Sequence, residues 1–310
     1  MKTMLAAFIA AAGLGGAAHA ATPVTIDDTG VFPESMTATA SGDLIIGSSA
    51  KGTIYRAKAG QPKAEIWIDP KTSGMSAVLG VFADDKGKTL YVCSAALGAP
   101  PDKADQLSAL RTFDLNTGAA KAAYPMPGGG KALCNDVAIA KDGTVYVSET
   151  IGGQVLVLKK GASALATWIK DPKLGFVDGI AMGGDGAVYV NTVTTGHMYR
   201  IAVGAGGAAG DITELTPSVK LGGPDGLRAL GGLKFLQAEN GVGRVSIVTV
   251  SGTTATVTPL KEGEPGITSA AEVKGQVWAI NAKMAYRRDP ALKDKDPNPF
   301  VVEPIAAPAH

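Results

Sequence analysis

The 310-residue chain has few histidine, cysteine or aromatic side chains: three His, two Cys and 5% Phe, Trp and Tyr together. Such a composition disfavours a zinc site of the usual kind, which takes its ligands from His and Cys. The sequence has no G-x-S-x-G elbow and no G-x-x-x-x-G-K-[ST] loop. It therefore indicates neither a serine hydrolase of the α/β class nor a P-loop nucleotide site.

The chain also lacks an excess of either charge, since 29 Lys and Arg face 28 Asp and Glu. No basic stripe with interleaved aromatic residues occurs, so nucleic acid is not an expected partner. Long amphipathic runs with a 3.6-residue period are absent after the first twenty residues, whereas glycine is abundant at 41 residues. This combination favours an all-β protein.

The first twenty residues, MKTMLAAFIAAAGLGGAAHA, contain one Lys, an apolar run and then small residues. This is the layout of a secretory signal peptide cleaved after Ala20, and the apolar run is too short for a stable membrane span. No later segment has the eighteen or so uninterrupted apolar residues that a spanning helix needs. We therefore expect a signal peptide over residues 1–20, one domain over residues 21–310, and a periplasmic or secreted monomer without a membrane span.

A strand pattern then recurs about every 45 residues. Six segments share it: LIIG (44–47), TLYV (89–92), TVYV (144–147), AVYV (187–190), LKFL (233–236) and QVWA (276–279). Each follows a short apolar strand and a turn, and the Asp-Gly and Gly-Gly pairs in these turns are typical of hairpins. A third and a fourth strand complete each unit. The repeat predicts a six-bladed β-propeller with four-stranded blades around a central channel.

In a propeller the first strand of every blade lines the channel, so the residue at its start points toward the axis. In the six units this position holds Glu34, a residue at about Leu79, Asn135, Asp178, Asp225, and a residue at about Ile267 or Thr268. Four of these are oxygen donors, and the three carboxylates would repel one another without a cation. Oxygen ligands favour Ca²⁺, with Mg²⁺, Mn²⁺ or Zn²⁺ as alternatives.

The motifs FPES, CNDVAIAKDG, VDGIAMGGDG and GPDGL together resemble those of the senescence marker protein (regucalcin), gluconolactonase and luciferin-regenerating enzyme family. The resemblance extends from Phe32 to Arg288. It implies that Glu34 and Asp225 bind a divalent metal, that Asp225 is the general base, and that Asn135 contacts metal or substrate. The family usually has Asn where this chain has Asp178, and the extra charge should tighten metal binding but weaken the metal as a Lewis acid.

A metal-dependent lactonase acting on sugar lactones or related small lactones is therefore expected. Glu34, Asn135, Asp178 and Asp225 would hold the cation, and Asp225 would accept the proton of the attacking water. Asn135 and two residues near the ends of second strands, Glu149 and Asn191, are candidate substrate contacts. His197 fits a surface hairpin better than a catalytic base.

Two other functions and one structural explanation stay open. A broader esterase or phosphotriesterase would use the same metal, and a ligand-binding propeller without turnover would hold it as a structural ion. Each Asp-Gly motif taken alone also fits an Asp that only shapes a turn.

The two cysteines, Cys93 and Cys134, are expected to form a disulfide. Cys93 ends the second strand of the second unit and Cys134 begins the first strand of the third, so hairpin geometry carries both to the end that holds Asn135. An exported protein matures in an oxidising compartment, where an even number of cysteines is commonly paired. Two buried thiols packed as small apolar side chains are the alternative.

Overall fold

The computed structural model describes residues 21–97 and 108–305, which are almost entirely β-structure. The predicted signal peptide lies outside these residues. The strands are β1 (Val24–Ile26), β2 (Pro33–Ala38), β3 (Leu44–Ser48), β4 (Ile54–Ala57), β5 (Lys63–Ile68), β6 (Ala77–Asp84), β7 (Thr89–Ala95), β8 (Ala109–Asp114), β9 (Ala120–Pro125), β10 (Cys134–Ile139), β11 (Val145–Glu149), β12 (Gln154–Leu158), β13 (Ala166–Lys170), β14 (Val177–Met182), β15 (Val188–Thr192), β16 (His197–Val203), β17 (Ala209–Pro217), β18 (Pro224–Gly231), β19 (Lys234–Glu239), β20 (Arg244–Ser251), β21 (Thr254–Lys261), β22 (Ile267–Val273), β23 (Gln276–Asn281) and β24 (Val301–Ile305).

Helical structure in the described residues is limited to single turns. Two are α-helical, α1 (Pro70–Ser73) and α2 (Ala285–Arg288), and three are 3₁₀ turns at Gly129–Lys131, Pro172–Leu174 and Ala205–Gly207. None of the helices in the described residues is long and apolar enough to cross a membrane.

The strands form four sheets, and within each run of four strands consecutive strands pair as antiparallel neighbours. Two sheets have four strands, in the orders β6-β7-β8-β9 and β10-β11-β12-β13. Two have eight, in the orders β2-β3-β4-β5-β1-β24-β23-β22 and β14-β15-β16-β17-β21-β20-β19-β18. Each eight-stranded sheet is two runs of four joined at their outer strands by one parallel pairing, β1 with β5 and β17 with β21.

Both ends of the described chain complete the last run of four strands. Strand β24 pairs antiparallel with β23, and β1 pairs antiparallel with β24. The segment that begins at Val24 and the segment that begins at Val301 therefore both contribute strands to this run.

The core lies between successive sheets. The six repeated segments fall in β3, β7, β11, β15, β19 and β23, and every residue of β3, β11 and β15 is buried. Ile45 of β3 packs with Val78 and Val81 of β6, and Val155 of β12 packs with Ile180 of β14. Strands covered on both faces are apolar on both, which explains why segments such as TVYV do not alternate strictly with polar residues.

The strands β2, β6, β10, β14, β18 and β22 are called the inner strands below. Each contacts the next in that order, and β22 contacts β2, so they form a closed ring. Because consecutive strands run in opposite directions, the inner strands all begin at the same end of the ring. The residues at their starts are thereby brought together.

Candidate metal centre

Every inner strand has a β-bulge close to its beginning. The register shifts lie between Pro33 and Ser35, Val78 and Val81, Cys134 and Val137, Val177 and Ile180, Pro224 and Leu227, and Ile267 and Ser269. A bulge leaves its extra residue out of the ladder and redirects the side chain. Glu34, Asn135, Asp178 and Asp225 all lie inside these bulges, which accounts for their common phase in the sequence.

The four predicted ligands line one small cavity at the centre of the ring, together with Ser35, Gly80, Asp136, Gly226 and Thr268. The space open to the centre of a water-sized sphere is about 10 Å³, which is the room that one water molecule takes. In the second unit Gly80, and not the expected Leu79, reaches the cavity; in the sixth it is Thr268. The cavity thus has the size of a site for a single small ion.

Glycine within three bulges lets neighbouring inner strands approach closely. A Cβ on Gly80 would lie 2.2 Å from the Asn135 carbonyl oxygen, and one on Gly179 would lie 2.2 Å from the Asp225 carbonyl oxygen. A Cβ on Gly226 would lie 2.9 Å from the Thr268 carbonyl oxygen. Because real Cβ atoms do not approach oxygen so closely, the ring can be this narrow only with glycine at these positions.

The backbone two residues before four of the cavity side chains has a positive φ. These residues are Phe32 (44°), Phe176 (58°), Gly223 (64°) and Gly266 (113°). For the two phenylalanines this conformation costs of order 1–3 kcal/mol, which the surrounding structure must offset. Such strain is common where the backbone is held to present a functional side chain.

All three carboxyl groups have raised pKa values. Burial, followed by the neighbouring carboxylates, raises the pKa of Glu34 and of Asp178 well above their ordinary values. Burial raises the pKa of Asp225 to about 7, although a hydrogen bond from Asn240 opposes the shift. These acids therefore form a site that protons and a cation would compete for.

An ion pair that the sequence did not reveal lies beside these acids. Arg228 donates from Nη1 to Asp136 Oδ2 at 2.6 Å and from Nη2 to Ser35 Oγ at 3.1 Å and the Val81 carbonyl at 3.3 Å. Both charged side chains are buried, with 10% and 5% exposed. One guanidinium thus connects β18 with β10, β2 and β6, and supplies positive charge where four acids meet.

Two further polar residues hold the candidate ligands and occupy equivalent positions directly after second strands. Thr150, after β11, accepts a hydrogen bond from Asn135 Nδ2 at 2.8 Å. Asn240, after β19, donates to Asp225 Oδ2 at 3.2 Å. The amide and the carboxylate are each fixed by a neighbour within their own sheet.

Two of the candidate substrate contacts do not line the cavity. Glu149 is 1% exposed, and its carboxylate accepts hydrogen bonds from the backbone of Leu133, Ile151 and Gly152 and from Gln154 Nε2. Asn191 is fully buried, and it joins the Gly179 amide to the Asp225 carbonyl. Both side chains act within the scaffold, because their polar atoms are already used.

His197 lies away from the cavity. Its Nδ1 is 2.6 Å from Glu214 Oε1, and both side chains are about half exposed. This position agrees with a surface role.

Exposed apolar side chains follow or precede the segments that hold the ligands. Phe176 is 54% exposed directly before β14, Ile151 is 65% exposed directly after Thr150, and Val242 is 44% exposed two residues after Asn240. By their places in the chain they lie at the end of the ring where the cavity is found. These three side chains therefore supply exposed apolar surface at that end.

The structure joins Cys93 and Cys134 in a disulfide, with 5.0 Å between the Cα atoms. The bridge links the end of β7 to the start of β10, directly before Asn135. It therefore fixes the backbone that presents one of the candidate ligands.

We expect protein exported to an oxidising compartment to have no titratable thiol when denatured without reductant. The bridge closes a loop of 41 residues, which the chain-entropy model values at about 3 to 4 kcal/mol of unfolding free energy. Reduction should therefore lower the melting temperature. The Cys93→Ser/Cys134→Ser variant should have the same melting temperature as the reduced wild-type protein. Two titratable thiols in unreduced material would contradict the assignment.

The raised pKa values predict how stability changes with pH in protein treated with a chelator. Carboxyl groups with a raised folded pKa bind protons more tightly folded than unfolded, so their stabilising contribution is full at low pH and is lost as the pH rises through the folded value. For Asp225 that value is about 7. We expect the melting temperature to fall from pH 6 to pH 8, and added Ca²⁺ to raise it more at pH 8 than at pH 6. An identical pH slope in the Asp178→Asn/Asp225→Asn variant would contradict this.

The cavity side chains carry the oxygen ligands that a divalent cation prefers, but their present arrangement is not that of a metal site. Thr268 lines the cavity, and its buried Oγ1 has no hydrogen-bond partner among the described residues, so a hydroxyl oxygen is available beside three carboxylates and an amide. Residues 21–97 and 108–305 nevertheless contain no group of three or more His, Cys, Asp or Glu side chains arranged as a metal site. Binding of a cation would therefore require these side chains to rearrange.

No protein-family model matches the chain, and no curated protein is similar to it in sequence. Solved structures do match. Regucalcin from Agrobacterium tumefaciens, called a calcium-binding protein, is 15% identical over 93% of this chain and 94% of its own, with a TM-score of 0.64. A gluconolactonase from Xanthomonas campestris is 16% identical over 89% and 87%, with a TM-score of 0.63. A luciferin-regenerating enzyme is 12% identical over 92% and 96%, with a TM-score of 0.62.

These similarities show that the chain has a β-propeller fold in common with the proteins that its motifs resemble. They do not show the reaction, because enzymes of other classes share the fold. A virginiamycin B lyase from Staphylococcus aureus, for instance, matches with a TM-score of 0.61. The reaction therefore depends on the residues of the site and not on the fold alone.

Proposed function

We propose that the chain is a six-bladed propeller and that its axial cavity is the divalent-cation site of a hydrolase, with a lactone as substrate. The closed ring of six inner strands supports the blade count, since each eight-stranded sheet then counts as two blades joined at their outer edges. The observation that carries the function is the convergence of Glu34, Asp178 and Asp225 on one ion-sized cavity.

Glu34, Asp178, Asp225 and the Asn135 amide oxygen would hold the cation, and Ca²⁺ suits this all-oxygen set best. When bound, the cation would polarise a carbonyl oxygen and stabilise the negative charge that develops there. Asp225 would accept the proton of the attacking water, since its carboxylate is held in place by a hydrogen bond from Asn240 and lies inside the cavity beside the other acids. The positive charge of Arg228 would offset part of the negative charge of the four acids around the cavity, which would make their ionisation less costly.

The exposed apolar side chains favour one class of substrate over another. A sugar lactone presents hydroxyl groups, but Glu149 and Asn191 are engaged within the scaffold and are not free to bind them. Phe176, Ile151 and Val242 instead suit a lactone or ester that has an apolar substituent. A broader esterase is therefore the second candidate, and a binding protein without turnover is the third.

A hydrolysis panel tests the proposal. Gluconolactone, an alkyl-substituted lactone, an aryl ester and a phosphotriester would be incubated with chelated protein, alone and with Ca²⁺, Mg²⁺, Mn²⁺ or Zn²⁺. We expect cation-dependent hydrolysis of a lactone, faster for the alkyl-substituted one. Preference for the ester or the phosphotriester would move the assignment to the second candidate. No turnover with any cation would leave the binding protein.

We also propose that the protein is exported. The layout of residues 1–20 and the disulfide support this, because disulfides persist in oxidising compartments. Fractionation of cells that express the full chain, followed by N-terminal sequencing, tests it. A mature protein that begins at Ala21 and is found outside the cytoplasm is the expected result.

A further inference from the structure

A second cavity opens at the opposite end of the inner strands from the carboxylates. It is lined by the turns that follow β10, β12, β14, β16 and β18, and it has a volume of about 1030 Å³. Strand β10 begins at Cys134, beside the axial cavity, and ends at Ile139, which lines the second one. Six residues of strand span roughly 20 Å, so the two cavities are separate sites.

The floor of this second cavity is apolar. Ile139, Met182 and Val203 line it, are partly buried, and pack against the core between neighbouring sheets. Tyr146 lies under the same surface and packs edge-on against Trp168 at 4.8 Å. Trp168 Nε1 in turn donates to the Gly207 carbonyl at 2.8 Å, which fixes one wall.

Glycine turns form another wall and hold it in place. The Gly184 amide donates to the Gly232 carbonyl at 2.7 Å, and a Cβ on Gly184 would lie 2.8 Å from the Gly232 backbone. The turns after β14 and β18 are therefore in direct contact. The cavity is closed on this side by backbone, and its shape does not depend on flexible side chains.

Positive charge lies on one side of the apolar floor, in the turns that follow β10 and β12. Lys141, Lys159 and Lys160 line the cavity and are exposed, and within the described residues none of them has a carboxylate oxygen within 4 Å. Of the two acids that line it, Asp185 is bound to Arg200 at 2.8 Å. Only Asp142 then faces the three lysines, so the cavity carries an excess of positive charge.

We propose that this cavity binds a small organic anion with an apolar body, a monocarboxylate with an alkyl chain or an aromatic ring. The apolar floor would remove the body from water, and the lysines would stay solvated at the rim and attract the carboxylate. A neutral ligand would give the three lysines no opposite charge to interact with. The proposal does not depend on the function assigned to the axial cavity.

Fluorescence titration of the full chain with 1-anilinonaphthalene-8-sulfonate, an apolar anion, is the test. We expect saturable binding of one probe per chain and displacement by decanoate but not by 1-decanol. The Lys141→Gln/Lys159→Gln variant should bind the probe at least five-fold more weakly. The Lys170→Gln/Lys173→Gln variant should bind as wild type does, because it loses the same charge from the same blade but at the carboxylate end.

Two more variants localise the probe. Met182→Glu, which places a carboxylate in the floor, should weaken binding as strongly as loss of the lysines. Asp225→Asn should leave binding unchanged, since the axial cavity is at the other end. Equal weakening in both lysine pairs would mean a general charge effect, and competition by 1-decanol would mean an apolar surface only. Either outcome overturns the proposal, as does sensitivity to Asp225→Asn.

Discussion

Replacement of Arg228 by Met is expected to lower the free energy of unfolding by about 3 to 5 kcal/mol, the usual cost of removing one partner of a buried ion pair. The side chain is 10% exposed and joins four inner strands, and its loss leaves Asp136 unpaired among three other acids. For a domain of this size the melting temperature should fall by about 10 °C. Differential scanning calorimetry of chelated protein at pH 8, where the acids are most ionised, measures the effect.

Two controls separate this effect from a general cost of substitution. Arg200 forms an ion pair with Asp185 that is about one third exposed, so Arg200→Met should cost less than about 1 kcal/mol. Arg228→Met/Asp136→Asn should recover part of the lost stability, because the amide keeps a hydrogen-bond acceptor for the backbone but carries no charge. If the Arg228→Met and Arg200→Met variants have the same melting temperature, the buried ion pair of Arg228 does not stabilise the ring of inner strands.

Asp225→Asn is expected to reduce lactone hydrolysis by about 10² to 10⁴, the range that a general base contributes. The change removes the proton acceptor and a ligand charge but keeps the side-chain volume. The same variant should be as stable as wild type or more stable in chelator at pH 8, since it removes a carboxyl group whose pKa burial raises to about 7. Initial rates on the best substrate of the panel, compared with melting temperatures, separate lost chemistry from lost folding.

His197→Ala is the matched control for this variant. His197 is exposed and paired with Glu214, so its replacement should change the rate by less than about three-fold, as is usual for a surface substitution. The reverse result, with loss of turnover in His197→Ala and retention in Asp225→Asn, would show that the base has been assigned to the wrong residue.

The repeat in the sequence was enough to predict the strands and the residues that meet on the axis. Asn135, Asp178 and Asp225 recur because each is the second residue of an inner strand, and hairpin turns with glycine mark the period. The sequence did not show the β-bulges that take these residues out of the hydrogen-bond ladder between strands. A bulge is a property of strand pairing, and no single residue type marks it, which is why Leu79 was expected where Gly80 reaches the cavity.

The ion pair could not have been predicted for a related reason. Arg228 and Asp136 are 92 residues apart, and they meet only because the ring closes. A charged residue within an apolar inner strand, as in GLRAL, is the one signal that the sequence offers. For Glu149 and Asn191 the sequence did not show that their side chains bind backbone amides, because polar residues at strand ends serve backbone amides as readily as substrates.

Anomalous diffraction from crystals grown with Ca²⁺ would show whether the axial cavity binds a divalent cation. We expect one calcium peak on the axis, with carboxylate oxygens of Glu34, Asp178 and Asp225 within about 2.3 to 2.6 Å of it. Crystals of the Asp178→Asn/Asp225→Asn variant grown in the same way should lack the peak. A well-resolved map of the wild-type protein that shows only water among these three side chains would mean that the cavity is not a cation site.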